Sequence, residues 1–308
     1  MRRRDFIKKS ALLTAAVGLY GNLTASVSKL VTPSGNTVKP AFDLVAIKGG
    51  ELVPMFEKAI AEMGGMQAFV KRGQSVVVKP NIGWDVPPER GGCTQPALVA
   101  KIIEHCLKAG ARRVLVLDNT CDNWQKCYKN SGIENAVIQA GGQMVPANLE
   151  RYYKDVEIPG AKVLKNAKVH EQIINCDVFI NVPVLKHHSS TTLTICMKNL
   201  MGIVWDRRFW HRNNLNQCIA DMCLYRKPDL NIVDAYLVMT KNGPRGTSVN
   251  DVVQMKNLLI GTDIVAVDAA AALVFGAKPA DIGFIKLAHD MKIGSMELSG
   301  LKIQRLYM

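Results

Sequence analysis

The sequence lacks the short motifs that mark the common cofactor and hydrolase chemistries. It has no G-x-G-x-x-G dinucleotide loop, no Walker phosphate loop, no G-x-S-x-G nucleophile elbow and no H-E-x-x-H zinc helix. The glycine-lined phosphate cradles, activated serine and paired helical histidines of those reactions are therefore not available. No stretch is of low complexity, no repeat of fixed period is present, and no K/R-rich cluster or aromatic-interleaved basic stripe occurs. Nucleic acid is not an expected partner, and disorder is not expected beyond the first ~40 residues. Long apolar runs are missing too. Residues 11–20 form an apolar stretch of about 10 residues, too short to cross ~30 Å of hydrocarbon as a helix.

What is present is a chain of 308 residues, 48% hydrophobic and 21% charged, long enough to bury a large core as one α/β domain or two smaller ones. Its N-terminus has its own logic. A basic head, Arg2-Arg3-Arg4-Asp5-Phe6-Ile7-Lys8-Lys9, precedes the short apolar stretch, and Thr24-Ala25-Ser26-Val27-Ser28 supplies small residues for a signal peptidase. Arg3-Arg4-Asp5-Phe6-Ile7-Lys8 resembles the twin-arginine motif R-R-x-F-L-K. The expected organisation is a signal peptide at 1–28, a Ser/Gly/Pro-rich linker at 29–42 and a single α/β domain at 43–308. The expected partner in export is the twin-arginine translocase, and the expected location is periplasmic or otherwise extracytoplasmic, with no stable membrane span after cleavage.

The formal net charge is +13; residues 1–28 hold five of the 39 basic and one of the 26 acidic residues, leaving 34 against 25, a net +9. Such a field favours anionic partners. Eight cysteines, Cys93, Cys106, Cys121, Cys127, Cys176, Cys196, Cys218 and Cys223, are many for an exported chain. Disulfides are allowed outside the cytoplasm, but the twin-arginine route carries proteins already folded in a reducing cytoplasm, commonly with a cofactor inserted. Ligand roles are therefore as open as staples. The spacings Cys121-x5-Cys127 and Cys218-x4-Cys223 fit neither a zinc ribbon nor a ferredoxin run. Cys106 and Cys176 lie on apolar faces and read as core.

From Asp43 onward, strand-like and helix-like pieces alternate. Apolar runs at 44–47, 75–78, 113–117, 177–181 and 230–233 read as strands. Helical spacing covers 51–70, 96–109 (Thr94 as N-cap, Gly110 as stop), 134–140 and 262–277 (Asp263 as N-cap), and a last strand is expected at 301–306. Residues 146–172 read as a small irregular insertion. The pattern predicts a three-layer α/β fold, a mainly parallel sheet with helices on both faces, in which ligands sit at the carboxyl ends of strands.

Four strands end in polar groups: Lys79 and Asn81, Asp118, Asn181, and Asp234. Beside one of them runs Lys186-His187-His188, followed by Lys198 and Asn199. Adjacent residues on a strand face opposite ways, so the two histidines are not expected to chelate one metal; one imidazole suits acid/base work near neutral pH. Catalytic candidates are Asp118, Lys186, His187 and His188. Substrate-binding candidates are Lys79, Asn81, Lys198, Asn199 and Asp234, together with Arg245 in the turn Asn242-Gly243-Pro244-Arg245-Gly246.

The combination Lys79-Pro80-Asn81, Gly110-Ala111 before a strand ending in Asp118, Asn181-Val182-Pro183 with Leu185-Lys186-His187, and Lys198-Asn199-Leu200-Met201-Gly202 resembles the family of domain of unknown function 362. Its exported branch is the nearest likeness, through Asp118-Asn119-Thr120-Cys121, Cys127-Tyr128, Trp205-Asp206-Arg207-Arg208, Gln217-Cys218-Ile219-Ala220-Asp221 and Val267-Asp268-Ala269. The resemblance implies a loose link to iron–sulfur proteins, although the ferredoxin run of some relatives is missing here. It singles out Cys121, Cys127 and Cys218, which fall in matching stretches, as ligands of an iron–sulfur cluster or other metal. Two kinds of function follow: a metal- or cluster-dependent protein with a redox partner, or a cofactor-free enzyme or binding protein for an anionic small molecule. Cleavage after about Ser28 is expected, and N-terminal sequencing of exported protein checks it.

Overall fold

The apolar runs become strands of one sheet in a computed structural model, which describes residues 40–308. The expected signal peptide and most of the expected linker lie outside the described residues. In chain order the strands are β1 (Leu44–Lys48), β2 (Ser75–Pro80), β3 (Arg113–Val116), β4 (Gln143–Met144), β5 (Tyr153–Glu157), β6 (Asn166–His170), β7 (Val178–Val182), β8 (Val184–His188), β9 (Thr192–Thr194), β10 (Leu230–Met239), β11 (Val252–Gly261) and β12 (Ile303–Tyr307). Ten of them form the main sheet, in the order β12-β1-β11-β10-β7-β2-β3-β4, with β8 joined to β10 and β9 to β8. The run β10-β7-β2-β3-β4 is parallel throughout. Antiparallel β11 sits between β10 and β1. β5 and β6 pair only with each other, as a hairpin that accounts for most of the expected insertion.

Alternation along each strand splits the core in two. Val76, Val78, Val114, Val116, Val178, Ile180, Ile232 and Ile260 face one side, covered by α1 (Leu52–Glu62), α2 (Pro96–Lys108), α3 (Trp124–Asn130) and α4 (Ile133–Gln139). Val77, Leu115, Phe179, Val233 and Leu259 face the other. After the short α5 (Glu171–Asn175), that second side receives α6 (Cys196–Asn199), α8 (Leu215–Tyr225), α9 (Ile264–Phe275) and α10 (Gly283–Asp290), while α7 (Arg207–Arg212) lies near the carboxyl ends of the strands. Three layers result, as the strand–helix alternation predicts. Among the described residues no helix is long and apolar enough to cross a membrane.

Two local expectations are corrected. The helical spacing over 51–70 breaks after Glu62, because Gly64 and Gly65 both adopt positive φ, 93° and 75°, and only a short 3-10 turn, Met66–Ala68, follows. Thr94 does not cap α2. Its hydroxyl donates to the Val182 carbonyl at 2.7 Å and accepts the Asn81 N–H at 2.9 Å. The Gln95 N–H at the helix start goes instead to the carboxylate of Asp234, 2.7 Å away. At α9 the expectation holds: Asp263 accepts from Val265 N and Ala266 N.

Buried carboxylates tie the second layer together. Asp221 on α8 accepts the N–H groups of Lys162, Val163 and Leu164 at 3.1, 2.7 and 2.9 Å, which clamps the connection between β5 and β6. Asp268 on α9 accepts from Cys196 N at 2.7 Å and Met197 N at 3.0 Å, holding the first turn of α6. Burial pushes the Asp268 carboxyl up to about 7, against the pull of those donors. Asp268→Ala leaves two buried N–H groups unpaired and is expected to lower stability by about 3 kcal/mol. Urea unfolding measures this, and Asp268→Asn, which keeps one acceptor, should lose less.

Candidate functional site

Lys79 is in register with Asn181, and Asn181 with Asn231, so three adjacent parallel strands set a row of polar side chains across the sheet. All three residues are 0% exposed. The row faces the side on which α6 lies, and Asn199 at the end of α6 knits it together. Its amide oxygen accepts from Lys79 Nζ at 2.8 Å and from Asn81 Nδ2 at 3.0 Å, while its amide nitrogen donates to Asn181 Oδ1 at 2.9 Å and to the Lys79 carbonyl at 3.2 Å. Asn181 Nδ2 in turn donates to Asn231 Oδ1 and to the Cys196 carbonyl. Carboxamides suit this position because each both donates and accepts.

Lys79 forms a buried ion pair with Asp118 across the ends of β2 and β3, Nζ to Oδ1 at 2.8 Å. Asp118 Oδ2 accepts the Ile82 N–H at 2.6 Å. Burial lowers the Lys79 pKa, opposed by the adjacent Asp118 charge. Gly202 makes the pair possible. A Cβ there would lie 1.8 Å from Asp118 Oδ1 and 2.6 Å from Lys79 Cε, so no side chain fits.

Over this floor opens a cavity of about 410 Å³, within the range of small-ligand sites. Lys79, Lys186, Lys198, Arg207 and Arg208 line it, and among the described residues Asp118 is the one carboxylate in its wall. Lys186 Nζ donates to Asn81 Oδ1 and the Gly92 carbonyl, both uncharged. Among the described residues Lys198 Nζ has only the thioether sulfur of Met201, at 3.1 Å. Burial lowers both lysines to about 8. The ring of His188 also faces this space, and burial with Lys198 and Lys186 nearby takes it down to about 3. It is therefore a neutral imidazole. Its Nδ1 accepts the Ser190 N–H at 3.1 Å, which places the ring proton on Nε2. At the rim, Arg207 donates to the carbonyls of Asn119 and Thr120 and to Cys121 Sγ at 3.3 Å. Thr194 adds a buried hydroxyl without a partner among the described residues.

The family model described as Domain of unknown function (DUF362) matches residues 76–273. The chain belongs to the DUF362 family. A thylakoid-associated protein of Synechocystis sp. is 25% identical to this DUF362 member over 243 residues, 76% of this chain and 73% of that protein. Two solved structures share its outline at low identity. The lactate racemase apoprotein of Thermoanaerobacterium thermosaccharolyticum aligns with a TM-score of 0.44 at 11% identity, over 69% of this chain and 53% of that one. A Thermotoga maritima protein aligns with a TM-score of 0.41 at 10% identity, over 79% and 60%. The chain thus spans less than two thirds of either.

Of the candidate residues, the fold of this DUF362 member brings Lys79, Asn81, Asp118, Lys186, His188, Lys198 and Asn199 into one cavity. Three go elsewhere. Asp234 projects from the opposite face of β10, where it caps α2, its carboxyl raised to about 6 by burial. His187 points away from its neighbour and its Nδ1 accepts the Gly243 N–H at 3.1 Å. Arg245 is exposed and pairs with Asp122 at 3.4 Å.

The ligand set Cys121, Cys127 and Cys218 does not assemble. Cys127 is packed in the core on one side of the sheet, Cys218 in the core on the other, and Cys121 is exposed at the cavity. Among the described residues no group of three or more His, Cys, Asp or Glu is placed to hold a metal ion. All eight cysteines are free, and burial raises Cys127 to about 12 and Cys218 to about 11. A cluster or zinc ion does not fit this donor set. Sequence reasoning passed over Thr194, Gly202, Arg207, Arg208 and His211 as site residues. The pair Arg207-Arg208 beside an aromatic was the available signal.

Asp118→Ala strands the Lys79 ammonium in the interior and is expected to cost roughly 3–5 kcal/mol in chemical denaturation. The double variant Lys79→Met, Asp118→Leu should recover most of that loss, because no buried charge remains.

Proposed function

We propose that this protein binds a small anionic molecule in the cavity at the carboxyl ends of β2, β3 and β7. One observation carries the reading. Among the described residues, Lys186 and Lys198 are buried in the cavity wall with no carboxylate partner, and the single acid there, Asp118, is committed to Lys79. Removing an ammonium from water costs several kcal/mol unless a counter-charge replaces the lost hydration. A carboxylate or phosphate entering between Lys186, Lys198, Arg208 and the Nε2–H of His188 supplies it. His188 serves in this site as a fixed hydrogen-bond donor rather than a base, since its other nitrogen is taken by Ser190.

The alternative, a cluster or metal protein built on Cys121, Cys127 and Cys218, is not favoured, because those sulfurs lie on opposite sides of the sheet. For location we propose export through the N-terminal twin-arginine segment. That proposal rests on the sequence of residues 1–28, and the thylakoid association named for the Synechocystis relative agrees with a place at or beyond a membrane.

Titration calorimetry and thermal shift against inorganic phosphate, short carboxylates and their neutral amides test the anion reading. Anions should stabilise the protein and the amides should not. Arg208→Gln should weaken binding by about tenfold, the equivalent of roughly 1.4 kcal/mol. Equal responses to acids and amides would remove the proposal. Lys186 and Lys198 are ammonium below about 8 and lose their protons above it. Affinity is therefore expected to hold from pH 6 to 7.5 and fall above pH 8, by up to about tenfold per unit for each proton lost.

A further inference from the structure

We infer that Lys198 is a nucleophilic amine that forms an imine with the carbonyl carbon of a 2-oxo acid or aldehyde acid held in this cavity. The inference rests on the anion site proposed above and names the substrate class it would take.

Three lysines line the cavity, and their surroundings differ. Lys79 Nζ is held by the Asp118 carboxylate, the Pro80 carbonyl and Asn199. Lys186 Nζ is held by Asn81 and the Gly92 carbonyl. Both are locked into geometries that use their protons. Lys198 has no oxygen acceptor among the described residues, and its one neighbour in reach is the Met201 sulfur. A thioether is a weak acceptor, so an ammonium there gives up hydration and gains little, whereas a neutral amine loses much less. Lys186 and Arg207 add unfavourable charge. Burial beside other cations is how an enzyme obtains a lysine with a free lone pair near neutral pH, and the shift to about 8 agrees with the geometry.

The placement is also rigid. Asp268 holds the N–H groups on the two residues before Lys198, and Asn199 immediately after it is fixed by four hydrogen bonds. The same cavity is lined by groups an oxo acid needs: Arg208 for its carboxylate, and the Thr194 hydroxyl and His188 Nε2–H to polarise its carbonyl. The step balances without any oxidant. The amine lone pair forms the C–N bond as the C=O π bond opens to an alkoxide, which takes one of the two amine protons to become a hydroxyl. The carbinolamine then loses the hydroxyl and the remaining amine proton as water, leaving C=N.

The test is reductive trapping. Full-length protein is incubated separately with glyoxylate, pyruvate and 2-oxoglutarate in cyanoborohydride, followed by intact mass and peptide mapping. At least one acid should give a single reduced adduct on Lys198, at a yield at least tenfold above that from acetone, a neutral carbonyl. Lys198→Arg should lose the adduct while keeping a positive charge in the anion site; Lys198→Met serves if the arginine does not fit. No adduct with any of the three acids, a main adduct on Lys186 or surface lysines, or an undiminished adduct in both variants would overturn the imine. Preserved stabilisation by the acids in that case leaves the anion site standing, whereas absence of stabilisation by acids and phosphate alike would show that the anion site itself had failed.

Discussion

The Lys79–Asp118 ion pair is the contact on which the rest of this end of the molecule depends. It spans two parallel strands where their hydrogen-bond ladder stops, so the pair closes a gap that backbone bonding leaves open. Two charges at 0% and 2% exposure are tolerable only because each has further partners. Asp118 takes a backbone N–H from the segment after β2, and Lys79 takes Asn199 and its neighbouring carbonyl. The requirement propagates outward: Asn199 must sit above Lys79, which fixes α6, and Gly202 must stay bare, which fixes the turn that follows. Asp268, from a helix far along the chain, completes the support by capping α6.

Carboxamides carry this order across the sheet. Lys186, Asn81, Asn199, Asn181 and Asn231 form a continuous chain of hydrogen bonds through four separate stretches of sequence. Such a network tolerates few substitutions, because an unpaired buried amide costs more than the paired one contributes. It also leaves the cavity wall stiff. A stiff wall lined with uncompensated cations holds its charge in place before any ligand arrives, which is what electrostatic preorganisation means.

Neighbouring residues divide their roles here by strand alternation. Lys186 and His188 face the cavity, while His187 between them points to Gly243. Asn231 joins the polar row, and Asp234, three residues on, faces the opposite layer and caps α2. Carboxylates at strand ends read alike in sequence, yet Asp118 belongs to the site and Asp234 to the frame. The cysteines divide in the same way, Cys127 into one core and Cys218 into the other.

Periodicity by itself determined the layers: nearly continuous apolar strands alternating with amphipathic helices can only bury both faces of a mainly parallel sheet. The polar residues at strand ends, Lys79, Asn81, Asp118 and Asn181, were legible for the same reason, since an apolar run that stops at a charge marks where the chain leaves the sheet. Tertiary structure alone decided what those groups do. The row Lys79, Asn181 and Asn231 depends on strand order and register, which no local pattern encodes. The isolation of Lys198 depends on which oxygen atoms fail to come near it, and the scattering of the cysteines on which side of the sheet each segment packs. These are distances between segments remote in sequence, and only packing sets them.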